Sequence, residues 1–323
     1  MTIPERITPT GRSIVLEFSG VRAEIGTVAA VLRGLTVGGI AITEPVPAAI
    51  PPPLGAGIVL APWPNRVRDG IWTLDGLPQQ LDITEPARSN AIHGLLRNTD
   101  YEVRELSAAA VTLGALIPPQ HGWPFLLDSW VRYELRSDGL AVTHGVVNHG
   151  DRPAPYAVGA HPYLRIGEAP VDDLVLSVSA TTYFEVDARM NPVAEHPVEG
   201  TRYDLRAGVP LSELDLDTPF GGVTPAAAAR LTAPDGATVE LVQDAGWEYL
   251  QVFTPREFPR PRGRGLAVAL EPMTAPPNAL NSGDGLRHLE PGERWEGGWR
   301  IRYTPGHRDR DRASGYAEAH GSS

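Results

Sequence analysis

Four short motifs carry the groups in this chain that could move protons. In chain order they are Pro64-Asn65-Arg66-Val67, Asn90-Ala91-Ile92-His93-Gly94, Gly159-Ala160-His161-Pro162-Tyr163 and Leu270-Glu271-Pro272. Glu271 is a candidate general base, a role that needs a carboxylate within hydrogen-bond reach of its proton and a pKa near working pH. Pro272 biases it toward extended backbone, which places it at a strand end. His161, held extended by Pro162, is a candidate proton donor, because imidazole titrates closest to neutrality. His93 precedes Gly94 in a turn-like context, and Arg66 offers a guanidinium fork suited to two hydroxyls or an anion. An arginine, two histidines and a carboxylate could act together on a hydroxyl and a ring oxygen, which is the chemistry of opening and closing a pyranose. Taken singly, each has a plainer reading. Glu271 could lie on a solvated strand face, His161 in a core, His93 in a structural turn and Arg66 at the surface.

The elements that must hold these groups read as strands. Leu174, Leu176 and Val178 alternate with Val175, Ser177 and Ser179, and residues 14–18, 140–143, 238–242 and 249–253 follow the same period of two. Leu266, Val268 and Leu270 fall on one face of a further strand, leaving Ala267, Ala269 and Glu271 on the other. The two alanines clear space beside the carboxylate. Asp75-Gly76, Asp138-Gly139 and Asp235-Gly236 mark three hairpins, since Asp-Gly supplies the positive φ angles of a tight turn. The 34 glycines and 32 prolines interrupt the chain too often for long helices. The stretch 226–230 is helix-friendly but bracketed by Pro225 and Asp235-Gly236, and is assigned to a strand. An all-β fold follows, an antiparallel sandwich or barrel, over residues 1–305. From Gly306 onward the apolar pattern stops, so 306–323 reads as a disordered tail.

Composition removes several chemistries. The chain of 323 residues has no cysteine, which excludes thiolate metal sites and cysteine nucleophiles. All 28 Lys+Arg residues are arginine, which excludes Schiff-base catalysis and a Walker-type phosphate loop. Net charge is −11 with scattered basic residues, so no nucleic-acid partner is expected. No membrane span and no signal peptide are expected, and the location expected is cytoplasmic. Neither a His-x-x-x-His nor a His-x-His pair occurs, so no metal is expected. No Gly-x-Ser-x-Gly elbow of a serine hydrolase is present.

Taken in order, the motifs resemble the aldose 1-epimerase (galactose mutarotase) family. Asn65-Arg66-Val67 leads into Gly70-Ile71-Trp72, and Asn90 to Gly94 matches the family's Asn-x-x-His-Gly. His161-Pro162-Tyr163 matches His-x-Tyr, and Glu271-Pro272 is followed by Leu289-Glu290-Pro291-Gly292-Glu293. Asp217, before Phe220, resembles the family's aspartate, with Asp215 as a rival. The resemblance spans residues 26–303.

It implies a large antiparallel β-sandwich of the galactose mutarotase-like type, with a sugar in a cleft on one curved face. It implies that Glu271 takes the proton of the anomeric hydroxyl and His161 protonates the ring oxygen. His93 and Arg66 would stabilise charge on oxygen, with Asn65 beside Arg66, and Asp217 would grip hydroxyls. No cofactor is implied, only a small-molecule sugar substrate, with the protein a monomer or homodimer. The string Ala160-His161-Pro162-Tyr163-Leu164-Arg165-Ile166 departs from galactose-type members, so the reaction carries over better than the sugar. Arg68, Arg97 and Arg165 raise the alternative of an anionic hexose, a 6-phosphate or a sulfonated sugar. A non-catalytic carbohydrate-binding protein on the same fold is the alternative from another class.

Overall fold

A computed structural model describes residues 7–225, 227–260 and 263–307. Two large antiparallel sheets dominate it. In the nine-stranded sheet the order is Glu102–Leu106, Ala110–Ile117, Leu127–Arg136, Gly139–Asn148, Arg294–Thr304, Thr238–Gln243, Ala229–Thr232, Val175–Val178, Val209–Pro210. The eight-stranded sheet runs Pro192–Pro197, Thr182–Val186, Asp217–Gly221, Tyr249–Phe253, Val268–Met273, Gly159–Ala160, Val59–Leu60, with Tyr163–Leu164 also paired to Val268–Met273. Ser13–Phe18, Val21–Gly26, Leu32–Val37 and Ile40–Ala41 form a four-stranded sheet of their own. Among the described residues the single α-helix is Ala279–Ser282, and no helix is long and apolar enough to cross a membrane.

Alternation fixes which faces meet. In Leu127–Arg136 the side chains of Leu127, Val131, Tyr133 and Leu135 are buried while those between them are partly exposed. They share one core with Leu250, Val252, Val268, Leu270 and Phe220 of the other sheet, and this core extends from Ile14 to Tyr303. Packing one face of each sheet against the other is the two-layer solution for elements with a single apolar face. The three Asp-Gly pairs all lie at hairpins. Asp75 and Gly76 take positive φ between Leu74 and Leu77, and Gly236 does so between Thr232 and Thr238. At the third, Arg136 pairs with Gly139, so Ser137 and Asp138 form the turn. Of the stretch 226–230 expected as a strand, only Ala229 and Arg230 enter one, Ala229–Thr232; residues 227 and 228 precede it, and Ala226 lies outside the described residues. Of the expected tail, residues 308–323 also lie outside them.

The outer face of the eight-stranded sheet positions the polar groups. Leu266, Val268 and Leu270 enter the main core, whereas Ala267 and Ala269 join a second cluster with Tyr163 and Phe258. Glu271 therefore faces away from the main core, but it is not at a strand end, because the strand continues through Pro272 to Met273. Proline is tolerated here for a local reason. The amides of Leu270 and Thr274 point to Pro162 and Val158, and residue 272 shares their direction. That side of the ladder is interrupted between Gly159–Ala160 and Tyr163–Leu164, so the missing N–H leaves no pairing strand unsatisfied.

Candidate active site

The interruption that accommodates Pro272 also places His161. Gly159 pairs with Met273 and Tyr163 with Ala269, so His161 falls opposite Glu271 in the register. Its backbone bonds instead to Ile58 and Gly57. Opposed residues of an antiparallel pair share a face and lie within side-chain reach. His161 Nε2 is 3.3 Å from Glu271 Oε1, with His161 4% and Glu271 2% exposed. On the other flank Gln251 pairs with Glu271, giving a row His161, Glu271, Gln251 across two strands and the interruption beside them. Gln251 Nε2 donates to Asp217 Oδ1 at 2.6 Å, and its Oε1 accepts from Asn65 Nδ2 at 3.1 Å.

The remaining two motifs meet in a small ribbon. Arg66–Arg68 pairs with Asn90–Ile92, and the His93 amide donates to the Asn65 carbonyl. Asn65 and His93 both take left-handed backbone, with φ 55 and 64, at the ribbon's end. Both residue types are enriched there. Gly94 is required: its φ is 72, and a Cβ would lie 2.0 Å from the Ala61 carbonyl oxygen. The ribbon delivers His93 to a T-shaped contact with His161, with ring centroids 5.5 Å apart, while Tyr163 stacks on His161 at 5.3 Å.

A cleft of about 420 Å³ results, lined by Asn65, Arg66, His93, His161, Asp217 and Glu271, together with Gln251, Phe253, Glu85, Arg88 and Arg97. All six residues expected from sequence thus line one cleft. Asp215 is exposed, and it is Asp217 that reaches the cleft. Of the three arginines considered for an anionic substrate, only Arg97 lines it. Arg68 turns to the Pro192 carbonyl and toward Asp187, and Arg165 pairs with Glu44 beside a different cavity.

Sequence reasoning missed Glu85, Arg88 and Gln251. Gln251 carried a faint signal, because it shares a strand face with Tyr249 and Phe253 opposite the apolar Leu250 and Val252. Glu85 and Arg88 lie in a loop without periodicity, and nothing in the sequence singled them out.

Burial shifts the two facing groups in opposite directions. Burial pushes the Glu271 carboxyl well above its usual range, helped by Asp217 and opposed by Arg66. Burial pushes the His161 imidazole down to about 3, helped by Arg66 and Arg97. Burial thus disfavours the charged form of both groups, raising the proton affinity of Glu271 and lowering that of His161. His93 is driven down by burial, then by His161, Arg66 and Arg97, so its imidazole is neutral. Glu271 Oε2 and the Nδ1 atoms of His161 and His93 are buried without a hydrogen-bond partner among the described residues. Such orphaned groups each cost about 1–3 kcal/mol, a cost that a polar ligand would relieve. No group of three or more His, Asp or Glu side chains is arranged to hold a metal among the described residues.

Comparison with known proteins identifies the family and the fold. The sequence profile described as Aldose 1-epimerase matches residues 13–302. The chain is 36% identical over 286 residues to the uncharacterized protein YihR of Escherichia coli (strain K12), covering 88% of this chain and 91% of that one. The fold is similar to that of a galactose mutarotase-like protein from Clostridium acetobutylicum, with a TM-score of 0.78 at 20% identity over 90% of this chain and 95% of that one. It is also similar to galactose 1-epimerase from Lactobacillus acidophilus NCFM, with a TM-score of 0.75 at 20% identity over 91% and 95%. The chain belongs to the aldose 1-epimerase family.

Proposed function

We propose that the chain interconverts the α and β anomers of a hexose by acid–base opening and reclosure of the pyranose ring. The observation that carries this reading is the direct contact of His161 Nε2 with Glu271 Oε1 at 3.3 Å, both buried in one cleft. The anomeric hydroxyl oxygen and the ring oxygen are bonded to the same carbon, so the two groups to be served are as close as the acid and base that serve them.

Ring opening takes the proton from the anomeric hydroxyl to the Glu271 carboxylate. The C1–O1 bond becomes a carbonyl, the bond from C1 to the ring oxygen breaks, and the ring oxygen takes a proton from His161. Rotation about C1–C2 and reclosure with the roles exchanged give the other anomer. The step needs one proton shared by the pair, on His161 before opening and on Glu271 after it, and the 3.3 Å contact gives that proton a path between them. Neutral His93 and the Arg66 edge facing the cleft stabilise charge developing on oxygen. Asn65, Gln251 and Asp217 form a hydrogen-bonded chain suited to the remaining hydroxyls.

A second reading, an anionic hexose, is favoured by Arg97. It is half-buried in the cleft wall, its one side-chain hydrogen bond is to the Ile92 carbonyl at 3.4 Å, and among the described residues no carboxylate pairs with it. The discriminating experiment follows anomer exchange of galactose, glucose, glucose 6-phosphate and a sulfonated hexose by NMR at mildly acidic pH. Acceleration of the neutral sugars supports the first reading, and acceleration confined to the anionic ones supports the second. Acceleration of none removes both for this panel.

A further inference from the structure

Glu85 has no role in the proton ledger above, yet the chain fixes it with care. Pro86 opens a short turn, Pro86–Arg88, that ends at Ser89 in left-handed backbone, and Glu85 and Asn90 then exchange backbone hydrogen bonds. That bridge sets Glu85 beside the ribbon carrying Arg66. Arg189 braces the turn from outside, donating to the carbonyls of Arg88 and Ser89, while Asn90 Nδ2 donates to the Arg189 carbonyl. Held this way, Glu85 accepts from Arg66 Nε at 2.8 Å and Arg66 Nη2 at 3.0 Å, and from Arg88 Nη1 at 2.8 Å.

The bidentate grip uses one edge of the guanidinium. The nearest partner of the third nitrogen, Nη1, is Asn65 Oδ1 at a long 3.4 Å. A planar fork gripped on one edge is oriented on the other. The grip also counts charge. Arg66, Arg88 and Arg97 line the cleft, and Glu85 is the carboxylate paired with two of them. Arg66 faces Glu85 from the turn, Asp217 and Glu271 from the sheet, and His161 and His93 across the cleft, and it acts electrostatically on each.

We infer that Glu85 is a positioning residue of the anomer-exchange reaction, aiming Arg66 into the cleft and balancing its charge so that the His161–Glu271 pair keeps its single proton near neutral pH. The inference rests on the mutarotase reading. Removing the Glu85 charge makes the site more positive, which favours loss of protons from both members of the pair. Both limbs of the pH profile of kcat/KM then move to lower pH.

The test compares wild type, Glu85→Gln and Glu85→Asp on the sugar that wild type accelerates. Glu85→Gln is expected to shift the bell acidward by about half to one pH unit and to lower kcat about tenfold with KM nearly unchanged. Glu85→Asp keeps the charge but misaims the fork, so kcat falls while the bell stays in place. A lower melting temperature with kcat and the bell unmoved in both variants would reduce Glu85 to scaffolding and overturn the inference. Infrared titration of the Glu271 carboxyl band, assigned with Glu271→Gln, reads the same charge effect without turnover. If wild type accelerates no sugar, the mutarotase reading fails. An unmoved Glu271 titration in Glu85→Gln overturns the role of Glu85 separately.

Discussion

His144 and His161 are both buried, and burial drives each imidazole down to about 3. His144 lies on the inner face of the nine-stranded sheet. Its Nε2 accepts from the Trp299 indole at 3.1 Å, and the Trp247 ring lies 5.4 Å away. His161 lies on the outer face of the eight-stranded sheet, with its Nε2 against a carboxylate and its Nδ1 without a partner among the described residues. Burial and titration behaviour are thus common to both. The difference lies in the partner: a neutral indole completes a core, whereas a carboxylate of raised pKa completes an acid–base pair that lines a cleft. A perturbed pKa marks a functional site only together with such geometry.

The comparison breaks if activity does not separate the two histidines. His161→Asn is expected to lower kcat for anomer exchange by about 10²–10⁴, the range for loss of a general acid or base, with fold retained at neutral pH by circular dichroism. His144→Gln should leave exchange at neutral pH within about twofold, because distant sites act independently. Arg66→Lys keeps the charge and loses the fork, and steady-state kinetics should show kcat falling about 100-fold, as when an oriented donor to developing charge is removed.

Stability sharpens the comparison in the opposite sense. The folded pKa of His144 lies below its unfolded value near 6.5, so its protonation state contributes nothing to stability above that pH. As pH falls from 6.5 toward 3 the unfolded chain binds a proton that the folded one refuses, and stability is lost. At pH 5 this amounts to about 2 kcal/mol, from about 1.4 kcal/mol per pKa unit. Urea unfolding at pH 7 and pH 5 should show that loss shrinking in His144→Gln, while the part due to His161 and His93 persists. The smallest effect is at the cleft wall. Under the anionic reading Arg97→Gln raises KM about tenfold for a phosphorylated or sulfonated hexose, a loss of about 1.4 kcal/mol of binding, and leaves galactose unchanged. Equal KM effects on both sugars would remove Arg97 from substrate selection.

Much of this was legible in the sequence, and the rest was lost at identifiable points. Period-two alternation located the strands and separated Leu266, Val268 and Leu270 from Ala267, Ala269 and Glu271, because side-chain direction in a strand is set locally. The Asp-Gly pairs located three hairpins for the same local reason. Register was not legible. That His161 stands opposite Glu271, and that Arg66 pairs with Ile92, depends on partners far apart in the chain. Pro272 read as a terminator because sequence does not tell which edge of a strand its missing N–H will face. Glu85 was invisible because its importance comes from Arg66, which reaches it only through the folded ribbon.

The most direct test of the central claim is two-dimensional exchange NMR on the anomeric protons of an accelerated hexose at equilibrium, at mildly acidic pH, with wild type and Glu271→Gln side by side. The account predicts cross-peaks between α and β resonances that grow with wild-type concentration and fall to the uncatalysed level in Glu271→Gln. Undiminished exchange in Glu271→Gln, with its fold intact, would contradict it, since the contact between Glu271 and His161 would then have no part in opening the ring.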